Sequence, residues 1–304
     1  EVRTACETDT SMIGVTMDYQ KNISVPNIET SLVYFKRQFS CYLFNVHTLH
    51  NQDVTFYAYG QNIAKKGSND VVSMLDDFLR NIDCSIKTVH IFCDSCAGQN
   101  KNWTVFRYLH FLVLKLHKFT EVFVHFPIRG HSYMESDRDM GSVSKVLKKT
   151  IETPSEWFDE IRKCRTKPTP FNVPDVNQSM FKNWSKFLEK KYPSKCPIPT
   201  QPIREIVFSQ EGVKYRNSFM GLFQMVNFDV RKSKLVSDDR VLEPLYDGQL
   251  SISEEKFNDL VALKPFVSEK GKMFIDSLVP DLFVTEDFHE VCHDNPDLND
   301  EIDK

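Results

Sequence analysis

Short runs of apolar and aromatic residues, with polar residues interleaved, characterise the first half of the chain. Three such runs, at 11–17, 33–47 and 54–62, have the composition of β-strands. A continuous apolar run at 88–93 is typical of a strand that is buried on both faces, and 121–128 predicts one further strand. The pattern therefore predicts five strands.

Helical spacing of apolar residues alternates with the later strands. Apolar residues recur at helical spacing over 68–82, where Ser68 and Asn69 are candidates for the N-cap. The segment 102–117 predicts a long apolar and aromatic helix, and 142–151 predicts the start of another. Three strands followed by helix, strand, helix, strand and helix predict an α/β fold with a mixed five-stranded sheet.

The second half of the chain is richer in proline and basic residues. Extended proline-rich segments are predicted at 166–176 and 193–202, on either side of a basic helix at 178–191. A small separate sheet is predicted next, followed by a helix at 252–267 with Ser253 as its N-cap. The predicted strands of that small sheet are 203–210, 212–219 and 223–230.

These patterns divide the chain into four predicted regions. They are an α/β core at 1–151, a helical, proline-rich basic connector at 152–202, a small α+β region at 203–280, and an acidic tail at 281–304 that we expect to be flexible. The tail holds nine acidic residues and one lysine, so the rest of the chain carries a net charge of +4 against −4 for the whole. A mildly basic body is compatible with a polyanionic partner.

Composition excludes several classes of protein. The 304 residues are 41% hydrophobic and 26% charged, as in ordinary globular proteins, and no apolar run is long enough to span a membrane. Eight cysteines are too few for a disulfide-dense scaffold, so we expect a reduced, intracellular protein. Cys93 and Cys96 form a lone CxxC. A redox or zinc-binding module stays an alternative, although no second ligand pair has the matching spacing.

Acidic residues stand at the ends of predicted strands and beside a predicted helix. Asp18 ends the first strand and Asp94 ends the fourth, while Glu135, Asp137 and Asp139 come just before the last helix of the core. Sites gather at strand ends in open α/β sheets, and clustered carboxylates suit Mg²⁺ or Mn²⁺. Two such ions can promote phosphodiester cleavage. A structural role in a turn or cap is the alternative for any one of these acids.

Three segments carry motifs that match a known pattern. Residues 17–20, MDYQ, with Pro26, are similar to F-D-L-Q followed by a proline. Residues 94–102, DSCAGQNKN, resemble D-x-C-x-G-Q-N-x-N, and residues 130–137, GHSYMESD, resemble G-H-[ST]-x-M-x-x-D. A weaker similarity covers the helix at 252–267. These motifs resemble those of a family of transposon-derived proteins related to retroviral integrases and cut-and-paste transposases.

The resemblance implies an RNase H-like fold and a catalytic triad of acids. The triad would be Asp18, Asp94 and Asp137, which would bind Mg²⁺ or Mn²⁺ as a two-metal site, with Glu135 as a substitute ligand if its helix begins earlier. His131 would orient a water, contact the scissile phosphate or assist proton transfer; a structural loop histidine is the alternative. The implied activity is metal-dependent cleavage or strand transfer on DNA, by a transposase or a nuclease derived from one.

Several polar residues around the acids are candidates for nucleic-acid contact. Gln99, Asn100 and Asn102 supply amide groups near a helix N-terminus, where a phosphate is favoured, and Asn102 as a plain N-cap is an equal alternative. Arg129 and Arg138 bracket the third acid and could bind phosphate or pair with nearby acids. Further basic candidates are Lys145, Lys148 and Lys149.

Partners and location follow from the same hypothesis. DNA is the expected partner, with RNA as an alternative, and we expect a nuclear location and a homo-oligomer. Trp157 and Trp184, interleaved with later basic residues, could extend the contact surface along a nucleic-acid track. Two other functions stay open: a domesticated nucleic-acid-binding protein that does not cleave, and a nuclease for RNA or DNA junctions.

Overall fold

A nine-stranded sheet forms the centre of the computed structural model, which describes residues 1–128, 134–145, 149–228 and 242–285. Its strands are β1 (Met12–Tyr19), β2 (Ile23–Val25), β3 (Phe39–Thr48), β4 (Val54–Gly60), β5 (Thr88–Cys93), β6 (Glu121–His125), β7 (Glu205–Ser209), β8 (Gly212–Arg216) and β9 (Gln224–Val226). The helices are α1 (Val2–Thr8), α2 (Ser68–Arg80), α3 (Trp103–Leu114), α4 (Glu135–Ser144), α5 (Pro154–Lys163), α6 (Trp184–Glu189), α7 (Glu254–Leu263) and α8 (Glu269–Asp276). Outside the main sheet, β10 (Ile252–Ser253) pairs with β11 (Pro280–Asp281).

Two parallel strands, β1 and β5, lie in the interior of the sheet. The order across the sheet is β4, β3, β1, β5, β6, β7, β8 and β9, and β2 pairs with the beginning of β3. β3 is antiparallel to both β1 and β4, whereas β6 is parallel to β5. Parallel neighbours need a crossover connection, and α3 supplies it between β5 and β6. The prediction of an α/β fold is therefore confirmed.

The strands predicted as a small separate sheet extend the main sheet instead. β7 pairs antiparallel with β6, and β8 and β9 follow as further antiparallel neighbours. The prediction was wrong because it left β6 at an edge, with one row of backbone N–H and C=O groups unpaired. β7 satisfies those groups, and sheets commonly gain stability by covering an edge in this way.

Helices cover both faces of the sheet. On one face, α2, α3 and α6 bury an apolar core that includes Val72, Leu109 and Trp184. On the other face, α5, α7 and α8 pack on β2, β3 and β4 through a second core that includes Trp157 and Leu260. The two tryptophans are only 0% and 1% exposed. Both stabilise cores, so the expected nucleic-acid track cannot use them for stacking.

Some predicted elements begin or end elsewhere. The strand predicted at 33–47 begins only at Phe39, after a 3₁₀ helix at Ser31–Phe35. The helix predicted at 142–151 is α4, which begins earlier because Glu135 and Asp137 place negative charge in its first turn, where the helix dipole favours it. Within the described ranges, no helix is both long and apolar enough to cross a membrane.

Candidate functional site

The carboxyl ends of β1 and β5 bring two of the predicted acids together. In the parallel register of these strands, Met17 lies beside Cys93. Asp18 directly follows Met17 and Asp94 directly follows Cys93, and both aspartates are partly buried. Neighbouring parallel strands end at the same edge of the sheet, where α/β proteins place their ligand sites. The register therefore juxtaposes two carboxylates that are distant in sequence.

The pKa of Asp18 reflects electrostatic interaction with the other two acids, Asp94 and Asp137. Burial raises the pKa of Asp18 to about 8, from an ordinary value of 3.8, and the negative charges of Asp94 and Asp137 add to the rise. A hydrogen bond from the Tyr19 backbone N–H to Asp18 Oδ1, 2.7 Å long, acts in the opposite direction and is outweighed. Asp18, Asp94 and Asp137 therefore form one electrostatic group.

Asp94 is held in place by the loop that follows β5. Its Oδ1 accepts a hydrogen bond of 2.6 Å from Asn100 Nδ2 and one of 3.2 Å from the Cys96 backbone N–H. Asn100 itself is fully buried, at 0% exposure. Its amide is therefore enclosed and orients the Asp94 carboxylate, and contact of Asn100 with nucleic acid stays a prediction.

The other two amide candidates of this loop serve mainly its conformation. Asn102 is the N-cap of α3, where its Oδ1 accepts from the Val105 N–H at 3.1 Å. Its Nδ2 donates to the Gln99 carbonyl at 3.0 Å. Asn102 thus follows the N-cap alternative, and Gln99 is a partly buried residue of the same loop.

The first turn of α4 carries the third acid. Asp137 Oδ2 accepts a hydrogen bond of 2.8 Å from the Met134 backbone N–H, which caps the helix. Glu135, in the same turn, forms an ion pair with Arg3 of α1. Asp137 contributes to the pKa of Asp18, whereas the charge of Glu135 is balanced by Arg3. The structure therefore groups Asp137, rather than Glu135, with the two acids of the sheet.

The three acids supply the donor atoms that a divalent cation needs. Their arrangement fits such an ion less well. Carboxylate oxygens are the ligands that Mg²⁺ and Mn²⁺ prefer. Across the part of the chain that the structure describes, however, no three His, Cys, Asp or Glu side chains are gathered closely enough to hold a metal ion. One oxygen of Asp137 accepts from the Met134 N–H, which leaves the other oxygen for a ligand. The two-metal site stays a prediction.

Polar side chains on β3 and directly after β1, whose role was not predicted from the sequence, hold α4 beside the acids. The contacts are Gln20 Nε2 to Met140 O (3.4 Å), Asn45 Nδ2 to Ser136 O (3.4 Å) and His47 Nδ1 to Asp139 Oδ2 (2.6 Å). The register of β3 places Asn45 opposite Asp18 and His47 opposite Thr16. Asn45 and His47 are two polar residues, spaced by two, in a largely apolar strand that also holds Ser40 and Thr48 near its ends. That spacing was the signal in the sequence.

Buried polar atoms without a hydrogen-bond partner concentrate around the same acids. Among the described residues, these atoms are Thr16 Oγ1, Gln20 Oε1, Asn45 Oδ1, His47 Nε2, Ser95 Oγ, Asn100 Oδ1 and Ser136 Oγ. The only other residues with such atoms in those ranges are Arg107 and Trp184. Buried polar groups in native proteins are nearly always bonded to protein, water or a ligand. Their concentration here indicates a place that takes up polar ligands or water.

The basic candidates divide into three groups. Arg138 and Lys145 are exposed, on α4 and at its C-terminal cap. Lys149 is exposed and forms an ion pair with Glu160 of α5. The remaining candidates lie outside the described residues; they are Arg129, His131 and Lys148. Positive charge that could meet a phosphate backbone therefore lies on and beside α4.

The CxxC pair does not form a joint site. Cys93 is fully buried in the core beneath α3, and burial, followed by the charges of Asp94 and Asp18, raises its thiol pKa. Cys96 is partly buried in the loop, and neither cysteine forms a disulfide within the described residues. Redox chemistry and zinc binding both need the thiolate, which this environment disfavours at Cys93.

Comparison with known protein families gives a match over the middle of the chain. A family model described as "Domain of unknown function (DUF7869)" matches residues 36–197, which is more than half of the chain. The matched region contains Asp94 and Asp137, whereas Asp18 lies before it. No curated protein matches the chain.

Proposed function

The chain belongs to the DUF7869 family, and we propose that it is a divalent-metal-dependent nuclease or polynucleotidyl transferase that acts on DNA. The observation that carries this proposal is that Asp18 and Asp94 adjoin at the ends of β1 and β5 and that the charges of Asp94 and Asp137 both raise the pKa of Asp18, among buried polar atoms that have no partner in the described ranges. Carboxylates that repel one another in this way are costly unless a cation neutralises them.

The strand order supports an RNase H-like core. Along the chain, β1, β3, β4, α2, β5, α3, β6 and α4 follow the order that the resemblance to transposases and integrases implies. Across the sheet, β4, β3, β1, β5 and β6 are consecutive, and β7 to β9 extend this unit. In that comparison, the acids stand on the first strand, after the fourth strand and on the last helix of the core.

The residues of the chain have separate tasks in this proposal. Asp18, Asp94 and Asp137 would hold Mg²⁺ or Mn²⁺, which when bound would activate a water and stabilise the leaving oxygen. Asn100 fixes the direction of the Asp94 carboxylate through its 2.6 Å hydrogen bond. Asp137 keeps one oxygen on the Met134 N–H and has the other available for a ligand. Arg138, exposed beside Asp137, would meet the phosphate backbone.

The decisive experiment compares the protein with its Asp94→Asn variant. Mn²⁺ binding is measured by calorimetry, and cleavage is measured on labelled single-stranded DNA, double-stranded DNA, RNA and a DNA junction. We expect Asp94→Asn to abolish metal binding and to slow cleavage about a thousandfold, since a metal ligand contributes several kcal/mol to the transition state. The product ends and the preferred substrate then distinguish a transposase from a nuclease for RNA or junctions.

Asp70→Asn is the matched control. Asp70 is also a buried carboxylate, at 2% exposure, but it caps α2 and accepts from Tyr246 Oη at 2.7 Å. The Asp70→Asn variant should bind Mn²⁺ and cleave DNA like the unmodified protein. Absence of Mn²⁺ binding at millimolar concentration, with and without DNA, would refute the proposal.

A non-cleaving nucleic-acid-binding protein is the second candidate. The observation that favours it is that the described acids are not gathered into a metal-binding cluster. This candidate predicts DNA binding that is indifferent to Mn²⁺ and to Asp94→Asn, with no cleavage. A nuclear location and assembly into a homo-oligomer are further parts of the DNA proposal, and localisation and light scattering test them.

A further inference from the structure

A buried polar network ties α4 both to the sheet and to the segment after α5. His47 Nδ1 lies 2.6 Å from Asp139 Oδ2, and Asp139 Oδ1 lies 3.6 Å from Arg165 Nη1. The side chains of these three residues are 3%, 7% and 13% exposed. Asp139 thus stands between two basic groups that come from different parts of the chain.

Arg165 is itself firmly held. Its Nε donates to the Thr169 carbonyl at 2.8 Å, and its Nη2 donates to the Gln52 carbonyl at 2.9 Å. Its guanidinium also stacks on the Phe171 ring, 4.4 Å from the centroid. These contacts join the turn after β3 to the segment 165–171 and leave the guanidinium facing Asp139. The network therefore connects three elements through one carboxylate.

The position of this network relative to the acids gives it a role. Asp139 follows Asp137 by two residues on the same short helix. His47 lies two residues from Asn45 on β3, and Asn45 is the residue opposite Asp18 in the sheet. A buried ionic network contributes less to stability than apolar packing of the same volume, and its best-attested use is to specify one position among several. α4 buries a single aliphatic side chain, Val143, so apolar packing alone fixes it weakly.

We propose that His47, Asp139 and Arg165 are positioning residues that set where α4 stands on the sheet. Through α4 they fix the distance from Asp137 to Asp18 and Asp94. The catalytic consequence of this inference rests on the proposed function, whereas its structural consequence does not. The segment 165–171 is then coupled to the acids through Arg165, although the described contacts of Arg165 include none of the three.

A metal-independent measurement tests the structural part. Amide hydrogen exchange of the peptide that covers α4 is compared between the unmodified protein, Asp139→Asn and the buried-carboxylate control Asp70→Asn, without metal. We expect Asp139→Asn to accelerate exchange in α4 about tenfold or more, while Asp70→Asn accelerates exchange in α2 and leaves α4 unchanged. Unchanged protection of α4 in Asp139→Asn would overturn the inference. Arg165→Met, which keeps an aliphatic contact with Phe171, gives the same test if Asp139→Asn fails to fold.

A kinetic measurement tests the catalytic part. Residues that orient metal ligands typically alter activity about 10- to 100-fold. We expect a fall of that size in kcat for His47→Gln and for Asp139→Asn, with KM within about twofold, and the double variant should be no slower than either single variant because the residues act as one unit. Additive losses would contradict the network. If the unmodified protein does not cleave at all, the proposed function fails, and the exchange experiment alone decides the positioning of α4.

Discussion

α3 and α4 pack on opposite faces of the same sheet, and different forces hold them. α3 buries an almost continuous apolar surface, with Val105, Leu109 and Leu112 at 1% exposure or less. α4 buries Ser136 and Asp139 beside one valine, and polar side chains of β3 and of Gln20, directly after β1, hold it through hydrogen bonds. Burial of apolar surface holds α3 on the sheet, whereas directional hydrogen bonds hold α4.

The difference shows that one helix mainly stabilises the fold, while the contacts of the other mainly determine its position on the sheet. Apolar burial is non-directional and stabilises in proportion to area, so α3 can contribute most to the free energy of unfolding. Hydrogen bonds contribute less net energy, but they specify one geometry. The acids lie on the side where geometry matters, and the unpartnered buried polar atoms beneath α4 are a cost of that arrangement. Functional sites are where such local compromises are expected.

The largest expected effect comes from truncating the apolar side. Leu109→Ala should lower the free energy of unfolding by about 2–5 kcal/mol, because it removes a side chain that is 1% exposed and leaves a cavity. Urea denaturation measures the loss, and metal-dependent cleavage per folded molecule should stay the same. Val143→Ala on α4 is the matched variant and should cost less. An equal cost at both sites would show that α4 is also attached mainly by apolar area.

The second-largest expected effect is a fall in the free energy of unfolding at acidic pH, through a buried histidine on the apolar side. Burial lowers the pKa of His110 on α3 to about 4, from 6.5 in the unfolded chain. Between these values the unfolded state binds a proton that the native state does not, so stability is complete above pH 6.5 and falls as the pH drops towards 4. The loss at His110 reaches at most about 3 kcal/mol. Burial also lowers the pKa of His90 to about 4 and that of His125 to about 3, in the same direction.

Urea midpoints at several pH values between 7 and 4 measure this effect. His110→Gln cannot take up the proton, and its amide can still bond Tyr192 Oη, which lies 3.0 Å from His110 Nδ1. Its stability should therefore depend less on pH than that of the unmodified protein. An identical pH slope in both proteins would show that His110 is already able to ionise in the folded state.

The smallest expected effect is a gain on the polar side. Ser136 is 0% exposed, and its Oγ has no partner within the described ranges. Ser136→Ala should raise the free energy of unfolding by about 1 kcal/mol, because it removes an unsatisfied hydroxyl from the interface of α4. Urea denaturation measures this gain. A loss of stability instead would reveal a water or ligand bonded to this hydroxyl, which would sharpen the contrast between the two faces.

Local signals in the sequence sufficed for the elements of the apolar side. The continuous apolar run predicts β5 with its bounds at 88 and 93, and Asn102 marks the start of α3 as its cap. The start of α4 was missed because the helix is short and largely polar, so its apolar periodicity is weak. Its beginning is set by charge and by the Asp137 cap, which become apparent only with the geometry.

Non-local pairing explains the remaining differences. The sequence places Asp18 and Asp94 at strand ends, but the polar partners beneath α4 depend on the register of β1 with β3, which pairs Asp18 with Asn45. Likewise, nothing local predicts that β7 pairs with β6, since the two strands are separated by three helices, α4 and α5 on one face of the sheet and α6 on the other. Pairing across such distances is decided by the whole sheet rather than by either segment.

The pairing of β6 with β7 also bears on how the chain is made. During synthesis, β6 leaves the ribosome well before residues 205–209, its neighbour in the finished sheet. Until then one edge of the nascent sheet is open to other chains, and slow closure of this kind promotes aggregation. A fragment that stops at residue 151 would keep that edge permanently bare. We therefore expect such a fragment to be insoluble or chaperone-bound, and a fragment that extends through β9 to be soluble.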